Sequence, residues 1–320
     1  MNPLMSPGQC LAIASDLRRY LKTSGALELS VHSVFNRSVN TLTKDGELVT
    51  FLASGRDMVP MGLVAPVESI AAWKLYPGDT IRYDGDFSFH LPHDRGQLSF
   101  RKATVIPVSL NFSGRYPITG HDDSLELIRQ ALLTHESTGI SSLAARIQGG
   151  APSEDAPPMN IYSAYIARDI DLFLDEWGSG HFEAAFERAK RLIGFGPGLT
   201  PSCDDFLAGI LLWSYYDKSP QIDKRARALE FASQLVALSK ERTTLVSYHM
   251  LRHASHGRAN ALYLDLLVAM GDEDFLEEKI DRALAYGASS GADFLFGLYA
   301  AAILSSNRND PSIWIKKELS

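Results

Sequence analysis

A change of hydrophobic period near residue 112 constrains this chain more than any other feature. Before it, from Leu27 to Phe112, apolar residues come in short runs rich in Val, Thr, Phe and Tyr: 27–35, 38–42, 48–52, 58–64, 80–83, 87–91 and 103–108. Such runs suit a pleated, half-buried surface and are read as strands. Lys44-Asp45-Gly46, Tyr76-Pro77-Gly78-Asp79 and Tyr83-Asp84-Gly85-Asp86 punctuate them. Asp-Gly between apolar runs supplies the positive φ that a tight hairpin needs. This half is expected to be a small antiparallel β-barrel or sandwich of roughly six to eight strands. After Asn111-Phe112-Ser113-Gly114 the spacing turns helical, over 124–133, 140–147, 161–177, 181–193, 206–216, 221–239, 243–254, 259–270, 274–286 and 292–304. Pro7 to Leu21 reads as a short amphipathic helix stopped by Thr23-Ser24-Gly25, and Gly149–Pro158 as a loop or insert with nothing to bury. The expected architecture is α+β: a β-rich domain with a short N-terminal helix over 1–115, then a mainly α-helical domain over 116–320.

Composition narrows the function classes. The 320 residues are 45% apolar and 22% charged, with a net charge of −7. That is a globular composition, and the acidic balance argues against a nucleic-acid binder that works by neutralising phosphates. Two cysteines, Cys10 and Cys203, leave no disulfide framework and no cysteine-rich metal site. Met1 to Leu17 lacks the basic start of a signal peptide, and the most apolar run, 292–304, carries Asp293 and is too short to span a bilayer. A cytoplasmic protein with no membrane partner is expected.

The chemistry is sought in Gly194-Phe195-Gly196-Pro197-Gly198-Leu199-Thr200-Pro201-Ser202-Cys203-Asp204-Asp205-Phe206-Leu207-Ala208-Gly209. Gly194, Gly196 and Gly198 allow a loop with positive φ and close backbone approach. Thr200-Pro201-Ser202 reads as a helix start with a hydroxyl cap. Loop amides and a helix N-terminus together favour an anion such as phosphate or carboxylate. Asp204 and Asp205 oppose that charge. A bridging divalent cation, a protonated Asp, or a substrate with an NH-donor part would each resolve the conflict. A plain alternative is a tight helix entry with Ser202 and Asp205 as a capping box.

Ser202-x-x-Asp205-Phe206-Leu207-x-Gly209 recurs as Ser290-x-x-Asp293-Phe294-Leu295-x-Gly297. The two helix starts are expected to converge on one pocket, the alternative being two similarly packed helices. Arg242-Thr243-Thr244-x-x-Ser247 opens another helix, with Arg242 a candidate for gripping carboxylate or phosphate and its three hydroxyls on one face. The alternative is a Thr cap beside an exposed Arg. His249, His253 and His256 share a helix face, but the glutamate of a zinc H-E-x-x-H motif is absent and no metal site is assigned. P-loop, G-x-S-x-G and Rossmann signatures are also absent.

The run from Gly194 to Asp205 resembles the signature Gly-x-Gly-Pro-Gly-Leu-Thr-Pro-Ser-Gly-Asp-Asp of a bacterial family that includes the AllH-type subunit of oxamate carbamoyltransferase. The resemblance extends to Arg242–Ser247, to Ser289-Ser290-Gly291-x-Asp293 and to His32-Ser33-Val34-Phe35-Asn36-Arg37. Cys203 departs from the signature's Gly. The resemblance implies a part in transferring a carbamoyl group between carbamoyl phosphate and oxamate, giving oxalurate and phosphate, with partner subunits, one similar to acyl-CoA synthetases. On this reading Asp204, Asp205 and Arg242 are the catalytic candidates. Gly196, Gly198, Thr200, Ser202, Thr243, Thr244, Ser247, Ser290 and Asp293 are the substrate-binding ones. Mg²⁺ is the one candidate cofactor. A Cys203 nucleophile is set aside, because the neighbouring carboxylates oppose a thiolate. Two further readings stand beside this one: a non-catalytic structural subunit, and a stand-alone metal-assisted enzyme acting on a small carboxylated or phosphorylated metabolite.

Overall fold

The computed structural model describes residues 8–111, 122–147, 158–217, 222–270 and 275–306. The chain divides into two compact units, one within Met1–Leu110 plus Ala259–Leu264 and the other within Asn111–Arg258 plus Asp265–Ser320. Part of the turn expected at Asn111–Gly114 and most of the Gly149–Pro158 insert lie outside the described residues.

Among the described residues the first unit is one sheet with one whole α-helix, two short 3-10 segments (Ile70–Trp73 and Pro92–Asp94) and the first residues of a helix over Ala261–Ala269. Its elements are β1 (Gly8–Gln9), β2 (Ala12–Ala14), α1 (Ser15–Ser24), β3 (Leu27–Val34), β4 (Ser38–Thr43), β5 (Leu48–Leu52), β6 (Gly62–Val64), β7 (Thr80–Tyr83), β8 (Ser88–His90), β9 (Gln97–Ser99) and β10 (Thr104–Ile106). The ten strands run in the order β1-β9-β8-β7-β3-β4-β5-β6-β2-β10. Most neighbours are antiparallel, but β1 with β9, β5 with β6 and β2 with β10 are parallel, so the sheet is mixed. The Asp-Gly signals mark real reversals. Gly46 and Gly85 take φ of 86° and 83°, and the Asp84 carboxylate accepts from the amides of Asp86 and Ser88 in the β7–β8 turn. Only Cys10 and Leu11 separate β1 from β2, which lie toward opposite ends of the strand order, so this short run curls the sheet on itself.

That run also corrects the helix expected from Pro7. The helix starts at Ser15, because Ala12, Ile13 and Ala14 pair with β10 on one side and Ala12 and Ile13 with β6 on the other. A ladder on both sides of the run outweighs the helical preference of its two alanines, which three residues are too few to express. Inside the curl lie Ile13, Leu29, Val31, Val39, Phe51, Leu63, Ile81 and Phe89, closed by Leu17 and Leu21 of α1. Phe51 and Phe89 meet edge to face at 5.1 Å between centroids, a favoured aromatic geometry.

The second unit is helical: α2 (Asp122–Thr134), a 3-10 segment (Ser141–Arg146), α3 (Ile161–Gly178), α4 (Phe182–Leu192), α5 (Ser202–Tyr216), α6 (Ile222–Arg242), α7 (Leu245–Ala254), the end of α8 (Ala261–Ala269), α9 (Leu276–Leu284) and α10 (Ser290–Ser306). Among the described residues no helix is long and apolar enough to cross a membrane. At the centre, α5 and α10 form the most extensive helix pair. Both are apolar all round, as a helix covered on every side must be. Their crossing depends on two glycines. A Cβ at Gly209 would overlap the Phe294 carbonyl and approach Leu298 N to 2.7 Å, and one at Gly297 would overlap the Phe206 carbonyl. The backbones therefore touch, and Phe206 packs on Phe296 at 4.8 Å between centroids.

A Gly297→Ala substitution tests the crossing. Better helix propensity offers at most about 1 kcal/mol, whereas a methyl group driven into a carbonyl of a packed core costs about 1–3 kcal/mol or more. We expect the thermal midpoint of the chain to fall by several degrees. A midpoint that held or rose would mean the helices do not approach this closely.

Candidate functional site

The glycine loop leads from α4 into α5. Gly194, Gly196 and Gly198 have φ of 78°, 123° and 91°, values that L side chains rarely adopt. The first two are also hemmed in, since a Cβ at Gly194 would overlap the Arg242 carbonyl and one at Gly196 would overlap Ser202 N. Gly198 faces open space and needs only its φ. The expected hydroxyl cap does not form, and neither does the alternative capping box. Pro201 is the N-cap of α5, its carbonyl accepts from the amides of Asp204 and Asp205, and no side chain caps the helix. The amides of Gly196, Gly198, Leu199 and Thr200 find no acceptor among the described residues.

Beneath the loop the side chains of Asp204, Asp205 and Asp293 are buried, each at 2% exposure or less. Asp204 ties the loop down: Oδ1 accepts from Gly194 N at 2.8 Å, and Oδ2 accepts from the Thr243 hydroxyl. Thr244 anchors the other side. Its hydroxyl donates to the Leu199 carbonyl and accepts from Ser247 N at 3.1 Å as the N-cap of α7. Of the three hydroxyls expected on one helix face, that of Thr243 thus goes to Asp204 and that of Thr244 to loop and cap, while Ser247 Oγ is buried with no hydrogen bond of ordinary geometry to a described residue. Arg242 ends α6 with its side chain exposed, and its guanidinium pairs with no described carboxylate.

The two copies of the internal repeat meet here, and they meet reciprocally. Ser202 lies beside the Asp293 carboxyl while Ser290 lies beside that of Asp205. Gly209 sits on the carbonyl of Phe294 while Gly297 sits on that of Phe206. Thr200 and Ser290 join the loop to the start of α10 through a hydroxyl pair at 2.8 Å. Ser202 Oγ, Asp205 Oδ2 and Asp293 Oδ2 are buried, and none makes a hydrogen bond of ordinary geometry to a described residue.

Desolvation dominates the electrostatics. Burial pushes the Asp204 carboxyl up despite the Thr243, Gly194 and Ser247 donors around it. Asp205 is raised well above the usual carboxylate range by burial and by the Asp293 charge. Burial raises Asp293 to about 6, against the pull of nearby donors that include the Ile140 and Ser141 amides. Cys203 is wholly buried, and its thiol is pushed well up by burial and by Asp204 and Asp293, which leaves it no nucleophile. His249 and His253 are buried with ring centroids 6.3 Å apart, whereas His256 is exposed and bonded to the Arg252 carbonyl. Among the described residues no group of three or more His, Cys, Asp or Glu could hold a metal ion.

Sequence reasoning missed two neighbours. The segment before the 3-10 turn holds Asp293: Ile140 N and Ser141 N donate to Oδ1 at 2.7 and 3.0 Å, and the carboxylate lies against Gly139, where a Cβ would overlap it. Asn160 holds this segment, donating to the carbonyls of Ser137 and Gly139 while capping α3. Helical period at 140–147 concealed it, and Gly139 was the one available cue. The second neighbour is aromatic. Phe195 of the loop stacks on exposed Tyr165 at 5.4 Å with 9° between planes, and Tyr162 meets it edge-on.

Gly139→Ala should drive the Asp293 carboxylate off both amides and destabilise the chain by about 2 kcal/mol or more. Combined with Asp293→Ala the losses should fall well short of additive, because one contact is being removed twice. Fully additive losses in denaturation midpoints would show that Gly139 and Asp293 do not share a contact.

No solved structure matches the chain. Two family models do. The AllH family N-terminal domain matches residues 9–105, over the β-rich part, and the model described as oxamate carbamoyltransferase subunit AllH matches residues 192–302, which include the glycine loop, Arg242–Ser247 and the start of α10. The chain belongs to the AllH family, described as a subunit of oxamate carbamoyltransferase.

Proposed function

We propose that this chain serves a carbamoyltransferase complex by holding a small anionic substrate, carbamoyl phosphate or oxamate, on the glycine loop at the start of α5. The observation that carries the reading is the set of amides at Gly196, Gly198, Leu199 and Thr200 without an acceptor among the described residues, on a loop exposed at Pro197, Gly198 and Leu199. Amides fixed in direction by glycine geometry cost nothing to reorganise when charge arrives. Carbamoyl transfer develops negative charge on the carbonyl oxygen and on the departing phosphate, so it needs such donors more than a covalent nucleophile. Arg242 stands one residue from Thr243, which Asp204 joins to the loop, and its guanidinium would pair with the carboxylate of oxamate or with phosphate. Asp204 acts as a positioning residue that keeps Gly194 and Thr243 together. Ser202, Thr243, Thr244 and Ser247 support the loop from below.

The complex would supply the remaining groups through partner subunits, one of them acyl-CoA-synthetase-like. Mg²⁺, if used, would arrive with the phosphate of carbamoyl phosphate.

Thermal-shift titration of the chain with oxamate, oxalurate, phosphate and carbamoyl phosphate, each with and without Mg²⁺, tests the reading. A ligand at a hundred times its dissociation constant should stabilise the fold by about 2.7 kcal/mol. Arg242→Met should weaken binding about tenfold or more, in line with the loss of a charge-assisted hydrogen bond, without lowering the ligand-free midpoint. Binding that ignores Arg242 and survives Gly198→Pro would place the ligand elsewhere. Absence of binding to the chain, joined to full activity of a complex carrying both variants, would favour a structural subunit.

A further inference from the structure

Three carboxyl groups are buried under the loop, and among the described residues no Lys, Arg or His stands among the groups that set their ionisation. Such a cluster cannot be fully ionised, because each unpaired buried charge costs several kcal/mol. The donors decide where protons stay. Asp204 receives an amide and a hydroxyl, and Asp293 receives two amides. Among the described residues Asp205 receives no amide, its Oδ2 meets no donor, and its hydrogen-bonding neighbours are the hydroxyls of Ser290 and Thr200. A hydroxyl is the one neighbour that can accept from a carboxylic acid as readily as it donates to a carboxylate.

We propose that Asp205 works as a neutral carboxylic acid, set in that form by its burial and by the neighbouring Asp293 carboxylate, and that it orients the Ser290–Thr200 hydroxyl pair so that Thr200 donates toward an anion on the glycine loop. The chain of donors runs from the Asp205 O–H to Ser290 Oγ, from the Ser290 O–H to Thr200 Oγ1, and from the Thr200 O–H to the ligand. No bond to a heavy atom changes and no proton leaves Asp205. Ionised, Asp205 would instead accept from the pair, the chain would reverse, and lone pairs would face the anion. Burial of Asp205 and its nearness to Asp293 agree in direction with the neutral form. Among the described residues the titratable groups acting on Asp205 are Asp293 on α10 and Asp204 on its own helix. Asp169 of α3 acts on Cys203 and is itself paired with Arg191 of α4 at 3.0 Å. Asp205 is thus a positioning residue, and the conflict between adjacent aspartates and an anion site is removed by a proton.

This inference rests on the loop being the anion site, and the experiment separates the two ideas. Oxamate is the probe, since its own carboxyl stays ionised throughout. Its affinity for the full-length chain is measured by calorimetry from pH 5.5 to 9. For the wild-type chain we expect tight binding at the acid end and a loss of tenfold or more as pH rises through the Asp205 titration. Asp205→Asn, whose amide donates without titrating, should keep the acid-end affinity and lose the pH dependence. Asp293→Asn should move the break to lower pH, and Thr200→Val should weaken binding at every pH. An Asp205→Asn chain that folds but no longer binds at pH 6, or that keeps the wild-type pH profile, would overturn the proposal.

A ligand-free readout accompanies the binding assay. A carboxyl whose pKa is raised on folding stabilises fully below its unfolded value, and that stability is lost as pH rises through the folded value. Asp205→Asn should therefore gain in thermal midpoint over wild type between pH 6 and 9 while losing little at pH 5. An Asp205→Asn midpoint below wild type at every pH would show that the ionised carboxylate is the native form. No oxamate binding by the wild-type chain at any pH would defeat the loop reading and the relay together, whatever the stability profile shows.

Discussion

Everything in the helical unit hangs on the contact between α5 and α10. Gly209 rests on the carbonyl of Phe294 and Gly297 on that of Phe206, so the two backbones touch where most helix pairs are held apart by side chains. Close approach at that point brings Ser202 and Asp205 at the start of one helix up to Ser290 and Asp293 at the start of the other. The glycine loop, hung on α5, is thereby set beside the start of α10, and Thr200 and Ser290 can share a hydrogen bond. Larger residues at the crossing would separate the carboxyl groups as well as the helices, so the packing and the electrostatics of this region are one problem.

The second constraint is desolvation. Asp204, Asp205 and Asp293 stand at helix N-termini, where the dipole and free amides favour negative charge, yet burial raises all three. The chain answers with donors rather than cations: Gly194 N and the Thr243 hydroxyl for Asp204, Ile140 N and Ser141 N for Asp293. The Asp204 bonds tie the start of the loop and the residue after α6 to α5, and the Asp293 bonds tie the Gly139 segment to α10, so the carboxylates act as rivets between distant parts of the chain. Family membership gives this architecture its setting, since the matched region 192–302 spans loop, Arg242 and α10 together.

Much of this was legible in the residues because it depends on local chemistry. The switch of period near residue 112 separated strands from helices, Asp-Gly pairs marked the hairpins at Gly46 and Gly85, and alternate glycines announced a loop of positive φ. The repeated Ser-x-x-Asp-Phe-Leu-x-Gly identified two helices of one design. What was misread depended on partners far along the chain. Ser202 and Asp205 have the spacing of a capping box, but Pro201 takes the cap and each side chain turns to the opposite helix. Residues 12–14 look helical until β6 and β10 flank them. The Gly139 segment carries no motif at all, for its function is performed by backbone amides that every sequence possesses.

The sequence by itself therefore determined the α+β composition, the position and backbone character of the glycine loop, and the presence of two matched helix starts, because period, turn chemistry and glycine content act within a few residues. Only the tertiary structure decided that the starts face each other, that three aspartates are buried together, and that, among the described residues, Asp205 is the one of the three without an amide donor. Those outcomes are set by which segments come together in space, and a carboxyl group's ionisation answers to its surroundings rather than to its neighbours in the chain.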